Sequence, residues 1–185
     1  MYVKGKFYFL LIIAFFIPFC IFSQQLESPS EGKVLVYFVR SGGAGALINF
    51  KYFDGEDYIG KFSGSNYMIY ECDPGEHLLW ASAENKDFIE ADLEANKVYL
   101  ILAKPQMGAM SAGVKIFPVA KDDEKKMKKI SKILLKQEPK IMDPEDLDED
   151  EVELEEFIQK WIAKYRKDKE KGLEFRILSS EMHHN

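Results

Sequence analysis

Residues 33–120 alternate short apolar runs with turn residues, and this pattern predicts a series of β-strands. The runs are rich in β-branched and aromatic side chains, which suit a pleated sheet. The predicted strands cover residues 33–40, 47–53, 58–62, 67–72, 77–83, 88–93, 98–103 and 113–119. The first run, KVLVYFVR, is bulky enough to be buried on both faces. Seven to eight short strands with regular turns predict a mainly β fold, an antiparallel β-sandwich.

Three turn sequences lie between these runs and predict hairpins. The Asp-Gly pair at 54–55 separates two aromatic runs, and glycine accepts a positive φ there without a steric penalty. At 73–76 the sequence is Asp-Pro-Gly-Glu, in which proline presets one bend and glycine supplies the next. The third turn is Glu-Ala-Asn at 94–96. We therefore expect each pair of flanking strands to be hydrogen-bonded neighbours.

After residue 120 the apolar spacing becomes helical. Met127, Ile130 and Leu134 lie at i, i+3 and i+7 among many lysines, which predicts an amphipathic helix over 121–137 that ends before Pro139. A lysine-rich amphipathic helix is also typical of proteins that bind an anionic membrane surface. The neighbouring acidic segment weakens that attraction, so membrane-surface binding is an alternative rather than the main interpretation.

A second helix is predicted over 143–171. Asp143 is suited to the N-cap, Pro144 to the first helical position and Gly172 to the C-cap. Ten carboxylates and no lysine or arginine lie between residues 143 and 156, whereas basic residues gather near the other end, which complements the helix dipole. A short element is expected at 173–178. The tail at 183–185 is expected to be frayed.

The second helix carries an aromatic stripe formed by Phe157, Trp161 and Tyr165. Leu154, and Ile158 as an alternative to Phe157, continue the same face. Two interpretations stay open. The stripe could pack against the β domain or the first helix, or it could dock into a groove of a partner protein, because such grooves recognise an aromatic face bordered by charge.

The first 23 residues predict a secretory signal peptide. Lysines at positions 4 and 6 precede the almost wholly apolar run 7–22, and Ser23 precedes a polar stretch that begins at Gln24. Cleavage between Ser23 and Gln24 would release the protein into the periplasm or outside the cell. The segment could instead be retained as an envelope anchor, or Cys20 could be lipidated, although bulky residues precede it. Only in those two cases would the leader hold the protein at the membrane.

These patterns divide the chain into a leader (1–23), a linker (24–32), a β-sandwich domain (33–120) and a helical charged extension (121–185). The formal charge of −6 becomes −8 when the two leader lysines are removed. A net acidic protein is a poor candidate for general nucleic-acid binding, which depends on basic surface. We therefore expect no nucleic-acid partner.

The order of turns and strands from 33 to 119 resembles a bacterial family of exported proteins and lipoproteins that carry a domain of unknown function. The residues that carry this resemblance are Phe53-Asp54-Gly55 before Tyr58-Ile59-Gly60, then Asp73-Pro74-Gly75-Glu76-His77 before Leu78-Leu79-Trp80-Ala81, then Leu93-Glu94-Ala95-Asn96-Lys97-Val98-Tyr99. The chain is more distantly similar to PEGA and carboxypeptidase regulatory-like β-sandwiches. The resemblance implies a small accessory or binding domain with no known catalytic residues.

Few residues of the β region are suited to catalysis or metal binding. Cys72 is the only cysteine left after cleavage at Ser23, so we expect no internal disulfide and a small buried apolar role. His77 follows a turn, where a hydrogen bond to loop backbone would hold the strands together. A catalytic triad or a zinc site needs several converging groups, and the histidines at 183 and 184 belong to the tail. We expect no catalytic residue, metal or cofactor.

Two segments only superficially match ligand-binding motifs. The glycine-rich loop at 42–46 lacks the Gly-Lys-Ser/Thr ending that cradles phosphates, and the acidic segment at 143–156 lacks the central glycine of a calcium loop. Loops on a rigid scaffold often bind partners, so the loops at 41–46 and 107–113 are candidate recognition sites.

The sequence therefore predicts an exported, non-enzymatic interaction or structural module of the bacterial envelope. Its partner would be an envelope protein, reached through the second helix or the sandwich loops. The rival interpretation is a hydrolase built from dispersed carboxylates, of which Glu71, Asp73, Glu90 and Asp92 are available. That mechanism requires two carboxylates facing each other across a cleft.

Overall fold

The structure is a computed structural model, and it describes residues 26–43, 45, 47–107 and 112–185. The predicted leader, with Cys20, Ser23 and Gln24, lies outside the described residues. The strands are β1 (Val34–Arg40), β2 (Phe50–Asp54), β3 (Asp57–Phe62), β4 (Asn66–Cys72), β5 (Gly75–Ser82), β6 (Lys86–Leu93), β7 (Val98–Met107), β8 (Ala112–Val119) and β9 (Arg176–Leu178). The helices are α1 (Glu124–Leu134) and α2 (Pro144–Glu170), and a short 3₁₀ turn covers Ser180–Met182.

The strands form two sheets. Sheet 1 has the order β4-β1-β7-β8, and sheet 2 has the order β3-β2-β5-β6-β9. Most neighbouring strands are antiparallel, but β1 runs parallel to β7 and β6 runs parallel to β9. The fold is therefore mainly β and sandwich-like, as predicted, and each sheet is mixed rather than purely antiparallel.

The two sheets pack face to face around a shared apolar core. Successive side chains of a strand point to opposite faces, so Val34, Val36 and Phe38 of β1 enter this core together. Sheet 2 contributes residues such as Phe50 and Leu79, and these side chains are fully buried.

Sheet 1 is also apolar on its outer face, where α1 covers it. The alternate residues of β1, Leu35, Tyr37 and Val39, pack there with Ile130 and Leu134 of the helix. The first strand is therefore buried on both faces, as its sequence predicts. The outer contact orients α1 so that four of its lysines, Lys125, Lys128, Lys129 and Lys132, are exposed.

Sheet 2 has an aromatic outer face, which α2 covers. Phe53, Trp80 and Phe88 lie side by side on β2, β5 and β6, with ring centroids 3.8 Å apart for the first pair and 5.4 Å for the second. Cross-strand aromatic pairs of this kind stabilise a sheet beyond the area they bury. The two helices thus form the outer layers of a helix-sheet-sheet-helix arrangement.

Only one of the three predicted hairpins is correct. β2 and β3 pair across the Asp-Gly turn, where Gly55 has a φ of +56°. The turns at 73–76 and 94–96 instead connect strands of different sheets, β4 to β5 and β6 to β7. Turn residues reverse the chain, but they do not determine whether the next strand stays in the same sheet.

The N-cap of α2 is Asp143, as predicted, whereas its C-cap is Lys171 and the predicted Gly172 is the next residue. The Asp143 carboxylate accepts a hydrogen bond from the Glu145 amide at 3.0 Å, and Gly172, with a φ of +82°, follows the end of α2. The first helix is shorter than predicted and begins after Asp123, which caps it. Within the described part of the chain, neither helix is both long and apolar enough to cross a membrane.

The expectation of a frayed tail is wrong, because the last residues bond to the sandwich. The His184 amide donates to the Val98 carbonyl at 2.8 Å, and the Asn185 side chain accepts from the Val98 amide at 3.1 Å. Asn185 also donates to the Asn96 carbonyl at 2.6 Å. A polar tail looks disordered in sequence, yet here it satisfies backbone groups at the start of β7.

We expect Ile158→Ala to destabilise the protein by about 2–5 kcal/mol, because it would leave a cavity between α2 and sheet 2. Ile158 is only 2% exposed. Val152→Ala on the same helix is the matched control, since Val152 is 76% exposed and its truncation should change stability by no more than about 0.5 kcal/mol. Urea unfolding measures both values. If both variants changed the free energy of unfolding by the same small amount, the packing of α2 on sheet 2 would be contradicted.

Candidate functional site

A polar cluster lies at one end of the space between the sheets. Asp54 ends β2, Cys72 ends β4 and His77 lies near the start of β5, so all three reach the same end of the sandwich. One ligand atom from each lies within 4.8 Å of the others. Tyr70 donates a hydrogen bond to Asp54 Oδ2 at 3.1 Å. Of these residues, sequence reasoning singled out Cys72 and His77 and did not connect them.

Both ring nitrogens of His77 face oxygen atoms. Nδ1 lies 2.6 Å from Asp54 Oδ2, and Nε2 lies 2.9 Å from the Asp73 carbonyl. The hydrogen bond to Asp54 outweighs the effect of burial and raises the pKa of His77. The predicted bond to loop backbone is therefore present. Because the turn at Asp73 leads from sheet 1 to sheet 2, this bond fixes the corner between them.

The cluster is poorly arranged for nucleophilic catalysis. Burial, with a smaller effect from the Asp54 charge, raises the pKa of Cys72 to about 12, so its thiol stays protonated at neutral pH. Burial likewise raises the pKa of Tyr70. His77 is positioned to activate neither group, since both of its nitrogens are already hydrogen-bonded. Cys72 is buried, as the sequence predicts.

The four carboxylates of the hydrolase interpretation do not meet in one site: Glu71 and Asp73 have separate partners, and only Glu90 and Asp92 share a groove. Glu71 accepts hydrogen bonds from Ser30, Asp73 pairs with Lys33, and Glu90 is bound by Tyr165 and Lys169. Glu90 and Asp92 line an open groove of about 380 Å³, together with Glu76 and His77. The hydrogen bonds from Lys169 and Tyr165 lower the pKa of Glu90. A general acid of a glycosidase requires the opposite shift.

The predicted aromatic stripe of α2 lies against sheet 2. The Phe157 ring centroid is 6.2 Å from that of Phe53, and the Tyr165 centroid is 5.4 Å from that of Phe88. Packing against the β domain, one of the two predicted interpretations, is therefore present. Partner binding through Phe157 and Tyr165 would require α2 to leave the sheet.

Trp161 lies at the rim of this contact and is half-buried. The Lys86 ammonium group is 4.5 Å from its ring, within the range of a cation–π interaction. The centre of the contact is aliphatic and consists of Leu154, Ile158 and Ile162. The predicted stripe does not include Ile162, because it follows the aromatic residues, which lie on one side of the buried face of α2.

A stripe of exposed lysines runs along α1 and the turn after it. It consists of Lys125, Lys128, Lys129, Lys132 and Lys136. Their spacing of i, i+3, i+4, i+7 and i+11 places them within an arc of about 100° on the helix. The buried residues Ile130, Ile133 and Leu134 point to sheet 1 instead. The stripe is therefore held facing solvent by the apolar contact beneath it.

Further cations surround a half-buried ring next to α1. The ring is Phe117 of β8, and its centroid lies 4.8 Å from Lys104, 5.0 Å from Arg176, 5.8 Å from Lys115 and 6.0 Å from Lys126. Desolvation and the nearby charges of Lys129 and Lys126 hold the pKa of Lys104 below its ordinary value. Lys126 and Arg176 are paired with Asp123 and Asp87, so the excess positive charge here comes from Lys104 and Lys115. We call the five lysines of the stripe, with Lys104 and Lys115, the basic face.

The basic face and the acidic segment lie on opposite outer layers. α1 covers sheet 1, whereas the acidic segment at 143–156 forms the first half of α2, which covers sheet 2. Asp150 of this segment pairs with Lys61 of β3 at 2.6 Å. The charges are therefore unevenly distributed: the basic face lies on the α1 side, and the α2 side carries the acidic segment in its first half and basic residues near its C-terminal end.

The candidate recognition loops lie partly outside the described residues, namely at 44, 46 and 108–111. Under the first loop, the buried Arg40 donates hydrogen bonds to the carbonyls of Gly45 at 2.9 Å and Phe62 at 3.0 Å. Its guanidinium also lies 3.7 Å from the Phe50 ring. A buried cation is costly unless it is hydrogen-bonded, so these contacts fix one side of the loop. Partner recognition by the loops stays a prediction.

We expect Glu90→Gln to lower the free energy of unfolding near pH 7 by about 1 kcal/mol, because it weakens the bonds from Tyr165 and Lys169. The folded-state pKa of Glu90 is below its unfolded value of about 4.5. The stabilisation is therefore present above that value and is lost as the pH falls through the folded pKa. Urea unfolding from about pH 7 to about pH 3 should show the two proteins converging in acid. Exposed Asp92→Asn is the control, and a deficit independent of pH would contradict the ionic role.

Comparison with known proteins does not assign this chain to a family. No family model matches it, and neither a curated protein nor a solved structure gives a significant match. The resemblance to exported β-sandwich proteins therefore stays a prediction that rests on the turn and strand motifs.

Proposed function

We propose that this chain is an exported, non-enzymatic β-sandwich that acts as an interaction module of the bacterial envelope, and that its basic face binds an acidic partner protein. Export is supported by the signal-like pattern of residues 1–23. The observation that carries the binding proposal is the basic face itself. Its five stripe lysines are exposed on one side of α1, Lys104 and Lys115 are partly exposed beside them, and the helix is packed on sheet 1.

The electrostatics favour recognition of an acidic surface. A cluster of like charges on one side of a protein raises the local potential, speeds the encounter with an oppositely charged partner and disfavours partners of the same charge. Desolvation and, to a smaller extent, the charges of Lys129 and Lys126 lower the pKa of Lys104, so part of this shift reflects repulsion between neighbouring lysines. An acidic partner would relieve that repulsion.

The other binding surfaces have less support. Phe157 and Tyr165 already pack on sheet 2, so a partner would have to replace those contacts. The hydrolase alternative has little support, because the pKa values of Glu71, Asp73 and Glu90 are all lowered by hydrogen bonds to their partners, whereas a general acid needs a raised pKa. Function through the basic face requires no such rearrangement.

Site-specific photocrosslinking in the cell envelope tests this proposal. We expect a photoreactive residue at Leu135, which is 58% exposed beside the lysine stripe, to capture an acidic envelope protein. A probe at Val152, which is 76% exposed on α2, should not capture that protein. Full-length protein is required, since truncation after residue 120 would uncover the outer faces of both sheets.

Charge reversal provides the matched comparison. Lys128→Glu, Lys129→Glu and Lys132→Glu together should abolish capture at Leu135. The control triple reversal at Lys160, Lys167 and Lys171, all exposed, makes the same change in net charge on or beside α2 and should leave capture intact. Equal loss in both triple variants would point to net charge rather than the basic face. Capture that survives reversal of the basic face would contradict the proposal.

A second candidate function is binding to an anionic membrane surface, and the outward-facing lysine stripe favours it. The apolar face of α1 is packed on sheet 1, so this binding would be electrostatic and would not insert the helix. The isolated helix would expose that apolar face and is therefore unsuitable as a test. The intact protein has to be used.

For this second function, we expect the intact protein to co-sediment with phosphatidylglycerol vesicles at low salt and to dissociate as salt rises. Each lysine near an anionic surface contributes about 1 kcal/mol, so the triple reversal on α1 should weaken binding at least about 100-fold. Phosphatidylcholine vesicles are the lipid control. No sedimentation with phosphatidylglycerol at low salt would exclude this function and leave the partner-protein proposal standing.

A further inference from the structure

We propose that Asp54, Cys72 and His77 form a binding site for a divalent transition metal, with Zn²⁺ the best-suited ion. The inference rests on three ligand atoms that lie close together. One oxygen, one sulfur and one nitrogen ligand atom lie within 4.8 Å of one another. They come from three strands in two sheets and meet at one end of the core. This site is independent of the basic face and of the function proposed for it.

The ligand set matches the chemistry of zinc. Cysteine sulfur, histidine nitrogen and carboxylate oxygen are its usual protein ligands, and mixed sets of three occur where a fourth position is kept for water or another molecule. Hard ions such as Mg²⁺ and Ca²⁺ prefer oxygen alone, and the thiolate disfavours them. Asp54 and Cys72 are each 8% exposed, so the site is protected by its own strands.

The surrounding contacts orient these ligands as they do in metal sites. A metal-binding histidine commonly donates its other N–H to a carbonyl, which fixes the ring. His77 has this arrangement, because Nε2 lies 2.9 Å from the Asp73 carbonyl and Nδ1 faces the cluster. The Tyr70 hydroxyl holds the Asp54 carboxylate at 3.1 Å.

Metal binding here exchanges protons for the ion. The proton that lies between His77 Nδ1 and Asp54 Oδ2 would leave, so that Nδ1 offers a lone pair. The Cys72 thiol would lose its proton to solvent and bind as a thiolate. Burial and the neighbouring carboxylates disfavour the thiolate form of Cys72. The charge of a bound divalent ion would compensate for that cost.

Cobalt titration of the intact protein in a Cys20→Ala background tests the site. This background leaves Cys72 as the only thiol. We expect a single Co²⁺ ion to bind with a thiolate-to-cobalt charge-transfer band and the visible spectrum of a tetrahedral ion. Added Zn²⁺ should displace it and raise the melting temperature. Absence of the thiolate band in the folded protein would overturn the proposal.

Variants separate this site from adventitious binding. Cys72→Ala and Asp54→Asn should each weaken zinc affinity at least about 10-fold, and the cysteine variant should also lose the thiolate band. Tyr70→Phe should keep the band and weaken affinity about 10-fold, because it removes only the bond that orients Asp54. Two results would overturn the proposal. One is unchanged affinity in a folded Asp54→Asn protein, and the other is loss of all binding when both tail histidines are replaced.

Discussion

Both sheets of this sandwich are apolar on both faces, and that constraint determines the rest of the architecture. A sandwich normally buries only its inner faces. Here β1 places Leu35, Tyr37 and Val39 on the outside, and sheet 2 places Phe53 and Trp80 there. Each outer face therefore needs a cover, and each receives one amphipathic helix. Because the apolar side of a helix is used for covering, its polar side must face solvent. The basic and acidic surfaces are thus consequences of the same burial.

The elements of the fold were largely predictable, whereas their pairing was not. Strand runs, turn residues and helix caps are local signals, so the sequence predicts the strands, both helices and the Asp143 and Gly172 caps close to where they lie. Strand partners depend on contacts far apart in sequence, which local patterns do not encode. For this reason, two turns predicted to form hairpins instead connect strands of different sheets. For the same reason, the sequence does not predict the hydrogen bonds of Asn185 to the start of β7.

The polar cluster shows how much of a site sequence can anticipate. A backbone hydrogen bond from His77 was predictable, because histidine directly follows a tight turn. The meeting with Asp54 and Cys72 was not, since it depends on β2, β4 and β5 ending together. A usable signal did exist: each residue lies at the turn end of its strand. However, β4 and β5 belong to different sheets, whereas the hairpin expected at 73–76 would have paired them in one sheet.

Structural and metal-binding roles of the cluster are compatible for a physical reason. In the absence of an ion, the Asp54–His77 pair is well satisfied, because a charged imidazole donates to both a carboxylate and a carbonyl. The polar groups of the site are therefore satisfied without an ion, and their side chains are already held close together when an ion arrives. The ion would replace the proton between Nδ1 and Oδ2 and the proton of the Cys72 thiol, and the bond from His77 Nε2 to the Asp73 carbonyl would keep the corner between the sheets closed. A site of this kind loses little conformational entropy on binding, because its strands have already fixed the side chains.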